Sequence, residues 1–279
     1  MTVGYLFDPE NWRWLFTGNN FRFLLSGFWI NIQIALVAMV LSLCFGLVLA
    51  LLRLSKQRIV SVAAGVWIDV WRNLPLIFII LYLALAIPEP WRDAYQRSVP
   101  EWFPTAFQSP FFLAAVAALT LYNSAVLAEI MRAGVASLER GQGEAAASIG
   151  LRYWQSMRLV ILPQGLRRMV PATVSQLITL NKDTTLISIL GIQEVMRHAR
   201  IVTSTSGSPF VGTGVDAPLL QVFLTVGVMF VAVNLALSRL SRRLEIRERR
   251  RTGVETARVA GLEDQLTVAE AAVTPVPPR

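Results

Sequence analysis

The stretch that decides the fold is Glu139–Pro171, ERGQGEAAASIGLRYWQSMRLVILPQGLRRMVP, a polar and basic segment between two long apolar runs. Arg132, Arg140, Arg152, Arg158, Arg167 and Arg168 fall on it or at its edge. Connections between packed helices are usually a few residues long, so one of this length needs a reason of its own. Gln142 to Ile149 is alanine-rich without a breaker, which predicts a short helix. Glu144 falls in its first turn, where a carboxylate is favoured by the positive end of the helix dipole. Gly150 follows the last apolar residue and suits a left-handed cap. A second helix is expected from Arg152 towards Leu162, with Trp154, Met157 and Ile161 at helical spacing, and Pro163 is expected to end it. Helix, glycine turn and helix on one membrane face make a docking element.

Outward from this segment the chain is apolar. Of its residues 54% are hydrophobic and 16% charged, against about 25% charged in soluble domains. With a mean hydropathy of +0.52 the chain reads as an integral membrane protein. The net charge of +8 comes from arginines placed between apolar spans and at the C-terminus, not from an aromatic-interleaved stripe. That pattern sets topology and excludes nucleic acid as a partner. Cys44 is the single cysteine and His198 the single histidine, so neither an intrachain disulfide nor a cysteine metal site is expected, and His198 reads as an interface residue.

The fold class expected is all-α: a polytopic membrane protein of five transmembrane helices with a cytoplasmic coupling-helix loop. Residues 1–22, rich in Trp and Phe, read as an extracytoplasmic or interfacial segment. A transmembrane domain follows over 23–243, with the loop at 133–172, and 244–279 reads as a cytoplasmic tail, largely disordered. The spans are expected near 28–52, 62–87, 111–131, 174–195 and 219–240. In the second, Pro75 predicts a kink, and Asp69 and Arg72, three apart, are placed to pair. In the third, Glu129 and Arg132 read as an ion pair at the helix end that anchors the loop. In the fourth, Asn181, Thr185 and Ser188 form a polar stripe at helical spacing, with Lys182 and Asp183 beside it and Glu194 at its end. Ionisable groups at that depth must face protein or water, so this helix is a candidate pathway wall, with Arg72 contributing from the second span. Pairing of Lys182 with Asp183 to lock helices together is the competing structural role. Eighteen Lys and Arg residues fall on one side of such an alternation and six on the other, which places the N-terminus outside and both the loop and the C-terminus in the cytoplasm.

Glu144-Ala145-Ala146, three residues, Gly150, nine residues and Val160-Ile161-Leu162-Pro163 resemble the coupling-loop signature of ABC importer permeases, with Val160 where that pattern prefers Ile. Gly141-Gln142 before it and Gln164 after it resemble the branch that imports polar amino acids. Arg72-Asn73-Leu74-Pro75-Leu76 and Lys182-Asp183-Thr184-Thr185-Leu186 resemble two further elements of that branch, the first departing at Asn73 and Leu74. The resemblance implies that Gly141, Glu144, Ala145, Ala146, Gly150, Leu162 and Pro163 dock an ATPase. It implies as partners an ABC ATPase dimer, a second permease subunit of the same or a homologous chain, an extracytoplasmic amino-acid-binding protein and membrane lipid, in a bacterial plasma membrane. No phosphate-cradling G-x-x-x-x-G-K-[ST] loop exists, since Lys56 precedes Gln and Lys182 precedes Asp. The expected function is therefore a non-enzymatic permease subunit for polar amino acids with no cofactor of its own, ATP being bound by the partner. Two rivals stand beside it: an ion-gradient-driven carrier using Lys182, Asp183 and Glu194, and a membrane scaffold that transports nothing.

Overall fold

The computed structural model describes residues 7–16, 18–103, 105–138, 140–204 and 218–252. Residues 205–217, which connect the fourth and fifth expected spans, the part of the expected tail from 253 onward and Glu139 lie outside the described residues. Besides two single turns, Arg13–Phe16 and Thr105–Gln108, the helices are α1 (Asn20–Arg53), α2 (Arg58–Asn73), α3 (Leu76–Ala86), α4 (Glu89–Ser98), α5 (Phe112–Ala136), α6 (Arg140–Ser148), α7 (Tyr153–Ser156), α8 (Leu162–Asp183), α9 (Val195–Ser204) and α10 (Leu219–Thr252).

Among these, α1, α5 and α10 have the length and apolarity of a membrane span. α1 and α5 form the centre of the bundle and run parallel. Ser42 Oγ donates to the Thr120 carbonyl at 3.3 Å, and a Cβ on Gly46 would stand 3.0 Å from the Ser124 carbonyl. The contact is lined by buried small residues, Ala35, Ala38, Ser42 and Ala50 on α1 with Ala115, Ala118, Ala125 and Ala128 on α5. Between helices in lipid, small side chains are what lets backbones approach, because burial of oil in oil gains little. Leu119, Leu127, Ile34 and Ile80 fill the remaining space.

The expectation of five spans is corrected. Three helices qualify, or four if the bent pair α2–α3 is taken as one span. That pair turns through 98°. Pro75 explains the break: it forces Leu74 into an extended conformation (ψ 132°) and cannot donate to the helix behind it. The span lost is the one placed at 174–195. Its residues belong to α8, which carries Arg167, Arg168, Lys182 and Asp183, and then to a 3-10 segment, Thr184–Leu190, closed by Gly191 at φ +72°. α8 packs antiparallel to α5, through Gln176 Nε2 to Asn123 Oδ1 at 2.7 Å, and antiparallel to α10, through Asn181 Nδ2 to Asn234 Oδ1 at 3.1 Å. Protein on two sides accounts for a composition that lipid would not tolerate.

Candidate functional site

The helix–turn–helix expected to dock a partner is built as its residue types dictate. α6 ends in a Schellman turn: Gly150 N–H donates to the Ala147 carbonyl at 2.9 Å and Leu151 N–H to the Ala146 carbonyl at 3.1 Å, with Gly150 at φ +83°. The Gln155 side chain then accepts from the Arg152 N–H at 2.9 Å and starts α7. The expectation that Pro163 ends this second helix is corrected. After α7 the chain makes a π-helical turn, Met157–Ile161, and continues as α8 with Pro163 in its first turn. The wide turn lets Leu162 N–H reach the Met157 carbonyl, so the hydrogen-bond ladder has already shifted register where Pro163, which has no N–H to donate, enters the helix.

The element is anchored from behind. Ala146 is buried and Gly143 faces Ile161, while Gln164 Nε2 donates to Gln142 Oε1 at 3.2 Å. Tyr153 OH donates to the Leu54 carbonyl at 2.8 Å, and Lys56 Nζ lies 4.3 Å from the centre of its ring. Burial pushes that phenol above the usual tyrosine range, so the hydroxyl stays a donor. Gly134 and Gly165 clamp α5 to α8: a Cβ on Gly134 would meet the Gly165 carbonyl at 2.8 Å. Arg132 Nε meets Glu129 Oε2 at 2.8 Å, and Arg168 donates to the Ser137 carbonyl at 2.6 Å. Among the residues facing outward are Gly141, Glu144, Ala145, Ile149, Gly150 and Trp154, with Pro163 exposed and Leu162 half-buried. Ile149 at 74% exposure and Trp154 at 60% are large apolar groups exposed on an otherwise polar segment.

The pathway candidates fall into two sets. Asn181 and Glu194 join one buried network, tied together by Asn31 and Thr184. Asn31 Nδ2 donates to Thr184 Oγ1 at 3.0 Å and to Glu194 Oε2 at 3.1 Å, and Thr184 Oγ1 donates to the Asn181 carbonyl at 2.7 Å. Glu194 also caps α9, accepting from the Met196 N–H at 3.0 Å and the Arg197 N–H at 2.8 Å. Arg72 and Lys182 are exposed and Asp183 is half-buried; no ion pair joins Lys182 to Asp183, or Asp69 to Arg72, among the described residues. The expected Asp69–Arg72 pair is therefore absent: Asp69 is exposed, and its carbonyl accepts from Asn73 Nδ2 at 2.7 Å. Thr185 Oγ1 turns back to the Lys182 carbonyl at 2.8 Å, and Ser188 is half-buried. The expected stripe through Asn181, Thr185 and Ser188 is corrected as well. Beyond Asp183 the chain has three residues per turn, so Asn181, Thr184 and Ile187 share the buried face instead. Asn31 was missed, although a lone asparagine in an apolar span is the signal that marks it.

A membrane crevice of about 610 Å³ between α1, α2 and α5 is lined by Leu41, Phe45, Trp67, Leu113 and other apolar groups, with only the hydroxyls of Thr120 and Ser124. It has no group for an ionic solute. No cluster of His, Cys, Asp or Glu among the described residues could hold a metal.

A bundle of apolar helices carrying an exposed helix–turn–helix at one end is the architecture of a membrane transport subunit. Residues 16–250 match the family model described as binding-protein-dependent transport system inner membrane component, and the chain belongs to that family. It is 36% identical over 84% of its length to the probable glutamine ABC transporter permease protein GlnP of Bacillus subtilis, covering 97% of that protein. It is 31% identical over 77% of its length to the glutamate/aspartate import permease protein GltK of Escherichia coli O6:H1, covering 89% of it. Among solved structures it resembles an amino acid ABC transporter crystallised with histidines, at a TM-score of 0.63 and 26% identity, covering 81% of this chain and 94% of that one. The fold is also that of an inward-facing MetNI methionine ABC transporter chain, at a TM-score of 0.55 and 17% identity, covering 80% and 97%.

Proposed function

We infer that the chain is the permease subunit of an ATP-driven ABC importer for polar amino acids, coupled through α6 and α7 to a separate ATPase and not itself an enzyme. The observation that carries this is the glycine-capped helix pair, held from behind and apolar at its tip, on a chain that matches an importer family over nearly all of its described length. Gly141, Glu144, Ala145, Ala146, Gly150, Leu162 and Pro163 form or shape the docking surface: the small side chains allow close approach and Gly150 sets the angle. A second permease chain completes the pathway, and an extracytoplasmic binding protein delivers the solute. The relatives named for glutamine and for glutamate/aspartate support a polar amino acid with an acidic or amide side chain. Lys182 and Arg72 attract its carboxylate and Asp183 its ammonium group. Glu194, one of the three residues on which an ion-gradient carrier would rest beside Lys182 and Asp183, is already committed to a helix cap, which counts against that carrier.

The orientation has the N-terminus outside and the C-terminus in the cytoplasm of a bacterial inner membrane. Each of the three span-length helices supports it separately. α1 ends at Arg53 with Lys56 and Arg58 following, α5 ends beside Arg132 and Arg140, and α10 ends through Arg239, Arg242, Arg243 and Arg247. Positive charge collects on the cytoplasmic side. Reconstitution into vesicles with the ATPase subunits and a binding protein tests the function. Uptake of glutamine or glutamate should require ATP and survive a protonophore. Equal uptake by vesicles that lack the ATPase would overturn the reading.

A further inference from the structure

α8 and α10 hold each other through a ladder of polar contacts that stops short of their basic ends. After the pair Asn181–Asn234 come Ser175 Oγ and Ser241 Oγ at 3.1 Å, and Ser241 Oγ donating to the Pro171 carbonyl at 2.9 Å. Past that rung a cleft of about 300 Å³ opens, lined by Arg167, Val170, Pro171, Leu244, Arg247 and Glu248. Neither Arg167 nor Arg247 makes a hydrogen bond or ion pair among the described residues, while Glu248 has a partner of its own. The apolar run of α10 ends near Leu240, and at a rise of about 1.5 Å per residue Arg247 lies roughly 10 Å beyond it, at the depth of the headgroups.

Two unpaired guanidiniums over a wall of Val170, Pro171 and Leu244 ask for a ligand that is anionic at one end and apolar at the other. Arginine matches the paired oxygens of a phosphate, and basic clefts between membrane helices take anionic lipid headgroups. Free phosphate would satisfy the arginines and leave the apolar wall wet. Two positive charges against one carboxylate leave the cleft cationic. We propose that the cleft between α8 and α10 binds an anionic phospholipid, with Arg167 and Arg247 on the phosphodiester and Val170 and Leu244 against the start of an acyl chain. Assignment to the cytoplasmic leaflet rests on the orientation inferred above; the chemistry of the cleft does not.

The test is lipid retention. The permease–ATPase complex is placed in nanodiscs of phosphatidylcholine with a minor share of phosphatidylglycerol, present in both leaflets, then extracted into mild detergent and examined by native mass spectrometry. The wild type should retain phosphatidylglycerol in preference to phosphatidylcholine. R167Q/R247Q should lose about tenfold or more of it, and R167K/R247K, which keeps the charges, should keep most. Matching melting curves for the three proteins show that the fold is intact. Excess inorganic phosphate should not displace the retained lipid. Equal retention by wild type and R167Q/R247Q overturns the proposal, as does displacement by phosphate. It is also overturned if R167Q/R247Q sheds the ATPase subunits while its lipid is unchanged, which makes the cleft a protein contact. ATP-driven uptake is measured in parallel, so a failed lipid site and a failed importer reading give different results.

Discussion

Gly150 shows how much a single residue can decide. Its φ of +83° is a conformation that L side chains rarely adopt, and a Cβ placed there would meet nothing within 4 Å. The constraint is therefore on the backbone and not on space, at about 1 kcal/mol for an ordinary side chain and more for a β-branched one. Gly150→Val should straighten the turn between α6 and α7 and reduce uptake strongly at an unchanged level of membrane-inserted protein. Gly150→Asn, which tolerates the left-handed region, should retain most of it. Uptake normalised to the quantity of inserted permease checks both; if Val and Asn behave alike, the turn is not what the glycine serves. This turn was legible because its signal is local: an alanine-rich run, a glycine and a fresh start within a dozen residues. Asn31 was not. Its partners Thr184 and Glu194 lie 153 and 163 residues away along the chain, and no short-range pattern links them. Glu194 was expected at the end of a polar stripe; its oxygens meet the first turn of α9 instead.

At the scale of elements, the misreading of 174–195 has a definite cause. Lys182 and Asp183 were placed inside a continuous α-helix, but Thr184–Leu190 tightens to 3-10 geometry, which rotates every later residue off the α-helical stripe. Threonines at 184 and 185 with isoleucines at 187 and 189 weaken the helical preference without forbidding it, so periodicity alone did not separate the two geometries. The same reading took Pro163 for a stop where a π turn had made room for it. The α5–α8 clamp was also hidden, because Gly134 and Gly165 look like ordinary glycines until they are brought face to face. A Cβ on Gly165 would stand 2.8 Å from Val135 Cγ2 and 3.1 Å from Val135 Cα, and one on Gly134 2.8 Å from the Gly165 carbonyl. Backbone cannot yield as a flexible side chain can. Gly134→Ala and Gly165→Ala should each destabilise the detergent-solubilised protein by about 1–3 kcal/mol. Gly227→Ala in α10, where a Cβ meets nothing within 4 Å, should be neutral or slightly stabilising. Thermal melting followed by size-exclusion chromatography reads the difference, and equal melting of all three would remove the clamp from the account.

For the whole molecule, direction matters more than the number of spans. α1 and α5 run parallel, since Ser42 meets Thr120 and Gly46 meets Ser124, and α10 runs parallel to α5 because α8 is antiparallel to both. The three apolar helices thus present their basic ends together, a stronger basis for orientation than an alternation of five spans that the structure does not support. The bent pair α2–α3 carries the chain from the basic end of α1 to the start of α5. α4 confirms its arrival there: Tyr95 OH donates to the Phe107 carbonyl at 2.8 Å and Arg92 lies 5.3 Å over the Phe111 ring. Gln96 on α4 and Asn19 before α1 should then share the outer face, while Gln57 and Arg243 share the inner one; all four are exposed. Cys44 is the single native thiol, so replacing it with alanine leaves a background in which one introduced cysteine reports alone. With a membrane-impermeant maleimide, Asn19→Cys and Gln96→Cys should label in intact cells, and Gln57→Cys and Arg243→Cys only after permeabilisation. Labelling of Arg243→Cys in intact cells would place the basic end of α10 outside. Helices α6 and α7, which sit at the same end of the bundle through Tyr153 and Leu54, would go with it, and the proposed coupling to a cytoplasmic ATPase would fall.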